Sequence, residues 1–292
     1  MWEILKTVLY LSIIGAGASA VLILIKPFTV KRLPVRWQYY IWLLVAVCML
    51  VPFWKLIPQH RAQQLTRQFT PAVQTQQVQI HPAEPANMNL APEAAPYSAT
   101  AELTENGMRI YDCIAYIWLA GAGVFLTLAL GSYAVFVYTK RKNSIALKGN
   151  VLFEMVKKEL KIKRKIKIRI SKDTDSPMLV GTLFPVIYLP MCANDEQALA
   201  MVFRHELTHY RHGDLLYKWL TLFVNAVHWF NPFAYLLSAN VNQACEVACD
   251  MAVIKNMSDS DKQFYMETIL NMVERGKKHV SEFLYDKNER KG

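Results

Sequence analysis

A chain of 292 residues with 53% apolar and only 19% charged residues is too apolar for an ordinary soluble domain, and implies that part of it lies in lipid. Its formal net charge of +10 admits either a nucleic-acid partner or a membrane surface, and the position of the charges along the chain decides between them. Five cysteines, an odd number, argue against a disulfide framework and read most simply as small hydrophobes.

Three apolar runs come first in the chain. Residues 5–25 are broken only by Lys6 and a few small polar residues, 37–53 carry no charge, and 114–138 are uncharged throughout. Each is long enough, or nearly so, to cross a hydrocarbon core of about 30 Å, which takes about 20 helical residues, so three full spans are expected. The first run reads as an anchor and not a cleaved signal. Although Ala18-Ser19-Ala20 has the A-x-A form, Glu3 offsets Lys6 at its head and the run continues to Ile25. Lys26, Lys31, Arg32 and Arg36 connect the first two runs, while Lys140, Arg141, Lys142 and Lys148 follow the third. The positive-inside rule puts both basic segments in the cytoplasm, and hence the N-terminus and residues 54–112 outside. Residues 54–112 are rich in Gln, Pro and Ala and lack periodicity for most of their length, the pattern of a poorly ordered extracellular loop. The expected organisation is two transmembrane helices with a basic cytoplasmic connection in 1–53, this loop, a third transmembrane helix in 113–138, and a cytosolic domain in 139–292.

Thirteen Lys or Arg residues fall between 140 and 172, against Glu154 and Glu159. Near a membrane each attracts anionic headgroups by about 1 kcal/mol. No nucleic-acid motif accompanies them, so a lipid bilayer is the expected partner and direct nucleic-acid binding is not. A helix with a lysine-rich polar face is predicted around 151–160. Residues 165–170 alternate charged and apolar side chains as a half-buried strand does, and 177–190 supply apolar residues on both sides of a turn containing Gly181 and Pro185, which together read as a small sheet. Asn194 with Gln197 has the form of a capping box, and Leu199, Val202, Phe203 and Leu207 recur at helical spacing. A helix over 195–211 follows, with Gly213 as its left-handed cap.

That helix carries His205-Glu206-Leu207-Thr208-His209, an H-E-x-x-H element. Residues four apart share a helix face, so both imidazoles can approach one ion while Glu206 projects beside them where it can act as a general base. Zinc suits such a site, because it accepts neutral imidazole nitrogen in tetrahedral geometry and lowers the pKa of a water towards 7. The bland alternative, a surface helix with ordinary histidines, fits less well with a capped helix that follows a sheet. A catalytic zinc takes a third protein ligand. His212 lies too far along the axis and reads as a solvated basic residue near the helix end, and Asp214 as the N-cap of the next helix. Glu246 and Asp250 are four apart on a predicted helix, so Glu246 can bind the metal while Asp250 orients an imidazole through its other nitrogen. Cys245 and Cys249 flank that face as rival ligands. Glu246 is favoured over either, since a thiolate pair suits a closed structural site. Tyr210 and His228 are candidates for steadying an oxyanion, but a histidine within Val227-His-Trp-Phe is more often a packing residue, and neither is assigned to the site.

Residues 219–237 are 19 uncharged residues, nearly a span. Crossing the membrane would carry Glu246 to the side opposite His205. The segment is therefore predicted to pack within the peptidase domain or dip into the inner leaflet, bending at Asn231-Pro232.

With His205-Glu-Leu-Thr-His209 come Arg211-His-Gly-Asp214, His228-Trp-Phe-Asn-Pro232, Glu246-Val-Ala-Cys-Asp250 and, before them, Gly181-Thr-Leu-Phe-Pro185-Val-Ile-Tyr-Leu-Pro190. This series resembles the BlaR/MecR-type antirepressor metallopeptidases of bacteria, over about residues 151–260 and in the layout of the preceding spans. The resemblance implies an α+β fold class, with a polytopic helical membrane anchor and a cytosolic, gluzincin-like zinc peptidase domain containing a small sheet. It implies His205, His209 and Glu246 as zinc ligands, Glu206 as the base, and a multi-pass protein of the bacterial cell membrane. The implied activity is cleavage of a cytosolic protein, such as a transcriptional repressor, or of the chain itself, under antibiotic or cell-wall stress. Full sensors of this type carry a further span and a penicillin-binding domain, and this sequence has no S-x-x-K motif, so either the chain is a truncated relative or another protein or the outer loop is expected to supply the signal, with a homodimer or a sensor protein as the expected partner. Two other readings are a silent signalling scaffold that keeps the zinc fold, which the intact motif disfavours, and a simple lipid-binding protein, which leaves the motif unexplained.

Overall fold

The computed structural model describes residues 1–53, 99–191 and 195–271. Helix α1 (Trp2–Arg32) ends where Leu33 turns extended before Pro34, and Pro34 then opens α2 (Val35–Leu50). Helix α3 runs from Ala99 to Lys142 and ends on Lys140, Arg141 and Lys142. Trp2–Thr29 and Ile110–Lys142 are long and apolar enough to cross a membrane. Little of the second stretch is covered by the rest of the chain. Tyr116, Ile117, Val124, Leu128 and Val135 point outward along it, as side chains facing lipid do.

The helix of the second expected span is shorter than the other two. At 16 residues α2 rises roughly 24 Å, short of a hydrocarbon core, because Pro34 fixes its start and the extended Val51 before Pro52 its end. Its Trp42, Val45, Ala46 and Met49 are buried against a helical hairpin from the C-terminal half. The low-complexity loop expected at 54–112 lies mostly outside the described residues. Within it, 99–112 belong to α3.

After α3 come β1 (Ser144–Leu147), α4 (Val151–Glu159), β2 (Lys167–Ser171), β3 (Met178–Val180) and β4 (Val186–Pro190). The sheet order is β1-β2-β4-β3, with β2 and β4 parallel and the two outer pairs antiparallel. The β3–β4 turn depends on Gly181, whose φ of 88° is left-handed and where a Cβ would meet the Phe184 carbonyl oxygen at 2.6 Å. Ile168, Ile187 and Leu189 from the sheet and Phe153 and Val156 from α4 pack on Val202, Phe203 and Leu207 of α5 (Glu196–His212). One face of α5 is thus buried against the sheet, leaving the histidine face for a cleft.

Helices α6 (Asp214–Val227) and α7 (Pro232–Ile254) form the hairpin, broken where Asn231 caps α7 through Phe233 N at 2.9 Å and Pro232 occupies its first turn. The break falls where the sequence places it, but its surroundings differ from a simple packing within the peptidase domain. The tip lies among the three N-terminal helices. Asn231 Nδ2 donates to Ser12 Oγ at 2.7 Å, near the middle of α1, and the buried His228 Nε2 lies 2.9 Å from Met49 O of α2. Trp118 Nε1 of α3 donates to Val227 O at 2.9 Å, and Trp229 leaves no room for a Cβ at Gly121. Polar groups away from water need partners, and these bonds supply them to Asn231 Nδ2, His228 Nε2 and the Val227 carbonyl from each helix the tip touches, while His228 Nδ1 has none among the described residues.

Candidate metal centre

Asp195, and not Asn194, caps α5, its side chain accepting from Gln197 N at 2.9 Å; Asn194 lies outside the described residues. The helix ends at Gly213, whose left-handed φ of 77° lets its N–H reach the carbonyls of His209 and Tyr210 and sends the chain directly into α6. His205 and His209 therefore project one turn apart, with Nε2 atoms 3.0 Å from each other. Two imidazole nitrogens facing at that distance need a proton or a cation between them.

Glu246, from the C-terminal half of α7, brings its Oε2 to 3.4 Å from His209 Nε2 and 3.8 Å from His205 Nε2. A tetrahedral zinc with bonds of about 2.0–2.1 Å spaces its ligands about 3.3 Å apart, so the three atoms fit one ion. The outer nitrogens are held as well. His209 Nδ1 lies 2.6 Å from Oδ2 of Asp214, which is fully buried. His205 Nδ1 lies 2.7 Å from the Tyr265 hydroxyl and 3.3 Å from Asp250 Oδ1, and that hydroxyl donates to Asp250 Oδ1 at 2.7 Å. With its one proton on Asp250, the tyrosine oxygen accepts from His205 Nδ1–H. Both rings are thus set in the tautomer that leaves Nε2 free towards Glu246.

Asp214 therefore departs from its expected part as an N-cap. Gly213 precedes the helix instead, and the aspartate side chain turns back across the left-handed corner to His209. Tyr265, on the helical segment 259–271, escaped the sequence reading altogether, because no spacing rule ties it to His205 across sixty residues. Lys218, one turn beyond Asp214, also faces the cleft, with Nζ 4.0 Å from Glu246 Oε1. The position of Lys218 on the Asp214 face of α6 was the available signal for it.

The cysteine alternative is within reach but on the other side. His205, His209 and Cys249 offer ligand atoms all within 4.8 Å of one another. Cys249 Sγ sits 3.7 Å from His205 Nδ1 and 3.4 Å from the His205 carbonyl, on the ring edge that Tyr265 and Asp250 also hold. Cys245 is buried in the apolar cluster, where burial pushes its thiol up to about 12, far from the thiolate a metal takes. His212 lies against the Tyr39 ring, Tyr210 packs on the sheet side of α5, and His228 is at the hairpin tip.

Charge in the cleft follows from this packing. Burial pushes the Glu206 carboxyl above the ordinary range, opposed by the two histidines, a direction that suits a proton acceptor. Burial disfavours the charged His205 ring, but Asp250 and Cys249 outweigh it and raise the ring to about 10. His209 is raised too, against burial, mainly by Asp214. The bond to His209 holds Glu246 below the usual carboxylate range. The cleft has a volume of about 280 Å³, and Pro177, Met178 and Leu179 form its far wall. A larger groove of about 680 Å³ on the sheet side of α5 holds only His209 of these groups and has no acid–base set.

The chain matches the sequence profile of the family described as BlaR1 peptidase M56 over residues 6–289. It is similar to the regulatory protein BlaR1 of Bacillus licheniformis, 25% identical over 264 residues, which cover 86% of this chain and 43% of that protein. It is also similar to the methicillin resistance mecR1 proteins of Staphylococcus aureus and Staphylococcus epidermidis, each 26% identical over 291 residues, covering 95% of this chain and 48% of theirs. The chain thus spans somewhat under half the length of these curated relatives. With the profile matched along almost its whole length, and the H-E-x-x-H histidines and Glu246 meeting at one point in its fold, the chain belongs to the BlaR1 peptidase M56 family.

Proposed function

We propose that the protein is an integral membrane zinc metalloendopeptidase that transduces a signal by cutting a cytosolic protein, such as a transcriptional repressor, or itself. The observation that carries this reading is the convergence of His205 Nε2, His209 Nε2 and Glu246 Oε2, with the outer ring nitrogens held by Tyr265 and Asp214. Zinc, when bound, supplies Lewis acidity to a water and to the scissile carbonyl. Glu206, beside both histidines on the same helix, accepts the proton of the attacking water and passes it to the leaving amine. Lys218 lines the same cleft and can offset negative charge developing there.

Strand β3 supports a peptide substrate in particular. Among the described residues it pairs with β4 on one side only, and its residues Met178 and Leu179 border the cleft, so an extended peptide can add to its open edge in reach of the histidines. In this reading the basic end of α3 and the cleft lie in the cytoplasm of a bacterial cell, and the α6–α7 hairpin enters the bilayer from that side without crossing it. Activation is assigned to antibiotic or cell-wall stress, through a sensor partner or a second copy; for the antibiotic part the support is the name of the methicillin resistance mecR1 relatives.

The test is to load the full chain in nanodiscs with zinc, incubate it with the cytosolic proteome of a bacterial host and search for new N-termini. One zinc per chain with cleavage of a small set of proteins, or of the chain, is the expected result. Bound zinc with no new terminus would move the scaffold reading ahead.

A further inference from the structure

The turn between β3 and β4 ends in two adjacent large apolar side chains that the described residues leave uncovered, Leu183 at 71% and Phe184 at 86% exposure. Single exposed apolar residues are ordinary, but a neighbouring pair at the tip of a tight turn is not. The turn is rigidly placed. Gly181 fixes its left-handed start, Arg164 donates to the Leu183 carbonyl, and Thr182 Oγ1 accepts from Trp219 Nε1 at 3.0 Å.

Trp219 sets its depth. The indole stands edge-on to Tyr133 of α3, with centroids 5.2 Å apart. Tyr133 is seven residues before Lys140, about 10 Å along the helix axis inside the basic end that marks the headgroup level. Thr182 is therefore level with the apolar part of α3, and Leu183 and Phe184 follow it directly. Lys161, Lys163 and Arg164 border the same turn across the groove on the sheet side of α5. An apolar tip rimmed by cations matches the profile of a lipid leaflet, acyl chains below and anionic phosphates above.

We propose that Leu183 and Phe184 form a wedge inserted into the lipid leaflet at the basic end of α3, with Lys161, Lys163 and Arg164 on its headgroups. The inference rests on the reading of α3 as a membrane span. Because β3 runs straight from this turn into the wall of the cleft, the wedge fixes the cleft's edge strand at the bilayer surface. Substrate segments presented along that surface are then the ones positioned for addition to β3.

The test places the photo-crosslinking residue p-benzoylphenylalanine at position 184 of the full chain, in nanodiscs of phosphatidylcholine and phosphatidylglycerol, and identifies adducts by mass spectrometry. Position 128 on the lipid-facing side of α3 is the span control, and position 266, exposed on the segment 259–271, the aqueous control. Lipid adducts at 184 within about threefold of those at 128, and absent at 266, are expected for a side chain at the acyl boundary. Lipid adducts at 128 but none at 184 would overturn the wedge and leave the span standing. Adducts at 184 to a second copy of the chain would likewise overturn it, in favour of a protein contact. Absence of lipid at both 128 and 184 would remove the span reading together with the wedge.

Discussion

His209 Nδ1 and Asp214 Oδ2 lie 2.6 Å apart across the left-handed corner at Gly213, so the turn that ends one helix also delivers the carboxylate that holds the ring of a proposed metal ligand. Asp214→Asn keeps the size of the side chain but replaces the charge, and is expected to lower zinc affinity about 10- to 100-fold. Competition with a chelator of known affinity measures it. An unchanged affinity would show that the corner orients His209 without the aspartate.

Tyr265 offers a finer comparison. Tyr265→Phe removes the hydroxyl between His205 and Asp250 while keeping the ring, and Asp250 at 3.3 Å remains to take over the Nδ1 proton. Zinc affinity should fall less than for Asp214→Asn, by about 10-fold or less. Asp250→Ala together with Tyr265→Phe should cost more than the two single losses combined, since each can substitute for the other.

The raised histidines give a pH dependence with a definite sign. In the metal-free chain, folding favours the protonated His205 ring, so its contribution to stability is complete below pH 6.5 and is lost as pH rises towards 10. Zinc takes the neutral ring, and its affinity should therefore climb across that window with release of up to about two protons per ion. Calorimetric titration at pH 7.5 in buffers of different ionisation enthalpy counts those protons. Zinc binding without proton release would place the metal away from these rings.

The hairpin tip supplies a prediction on stability. Asn231 both caps α7 and donates to Ser12 of α1, so Asn231→Ala should cost about 1–3 kcal/mol, from a lost cap and an unpaired buried oxygen. Ser12→Ala leaves the cap in place and should cost less. Thermal unfolding of both variants in nanodiscs, with the double variant closing the cycle, measures the coupling between the first helix and the C-terminal half.

Much of the site is legible in the sequence because it depends on local periodicity. The helix that carries His205 and His209 is observed as Glu196–His212, one residue from its expected bounds at each end, and the hairpin breaks at Asn231-Pro232, where a side-chain cap and a fixed φ act within two residues. Contacts that depend on three-dimensional return of the chain are not. Tyr265 reaches His205 only through the packing of segment 259–271 against α7, and the turn of Asp214 back to His209 follows from the left-handed Gly213, which capping statistics do not describe. Strand β1 was missed because Ser144–Leu147 is four residues long, too short for alternation to stand out, and it forms by pairing with β2. The shortness of α2 reflects the prolines at its two ends, which an apolar run counted by composition passes over.

The most direct test of the account is Glu206→Gln, assayed for bound zinc and for cleavage of the substrate found by the search for new N-termini. The proposed ligands His205, His209 and Glu246 are untouched by this change, so the variant should hold zinc as the parent does. Its turnover should fall by about 10²- to 10⁴-fold, the usual contribution of a general base, with little change in substrate binding. Near-parental cleavage by Glu206→Gln, with zinc still in place, would contradict the hydrolytic mechanism derived from this centre.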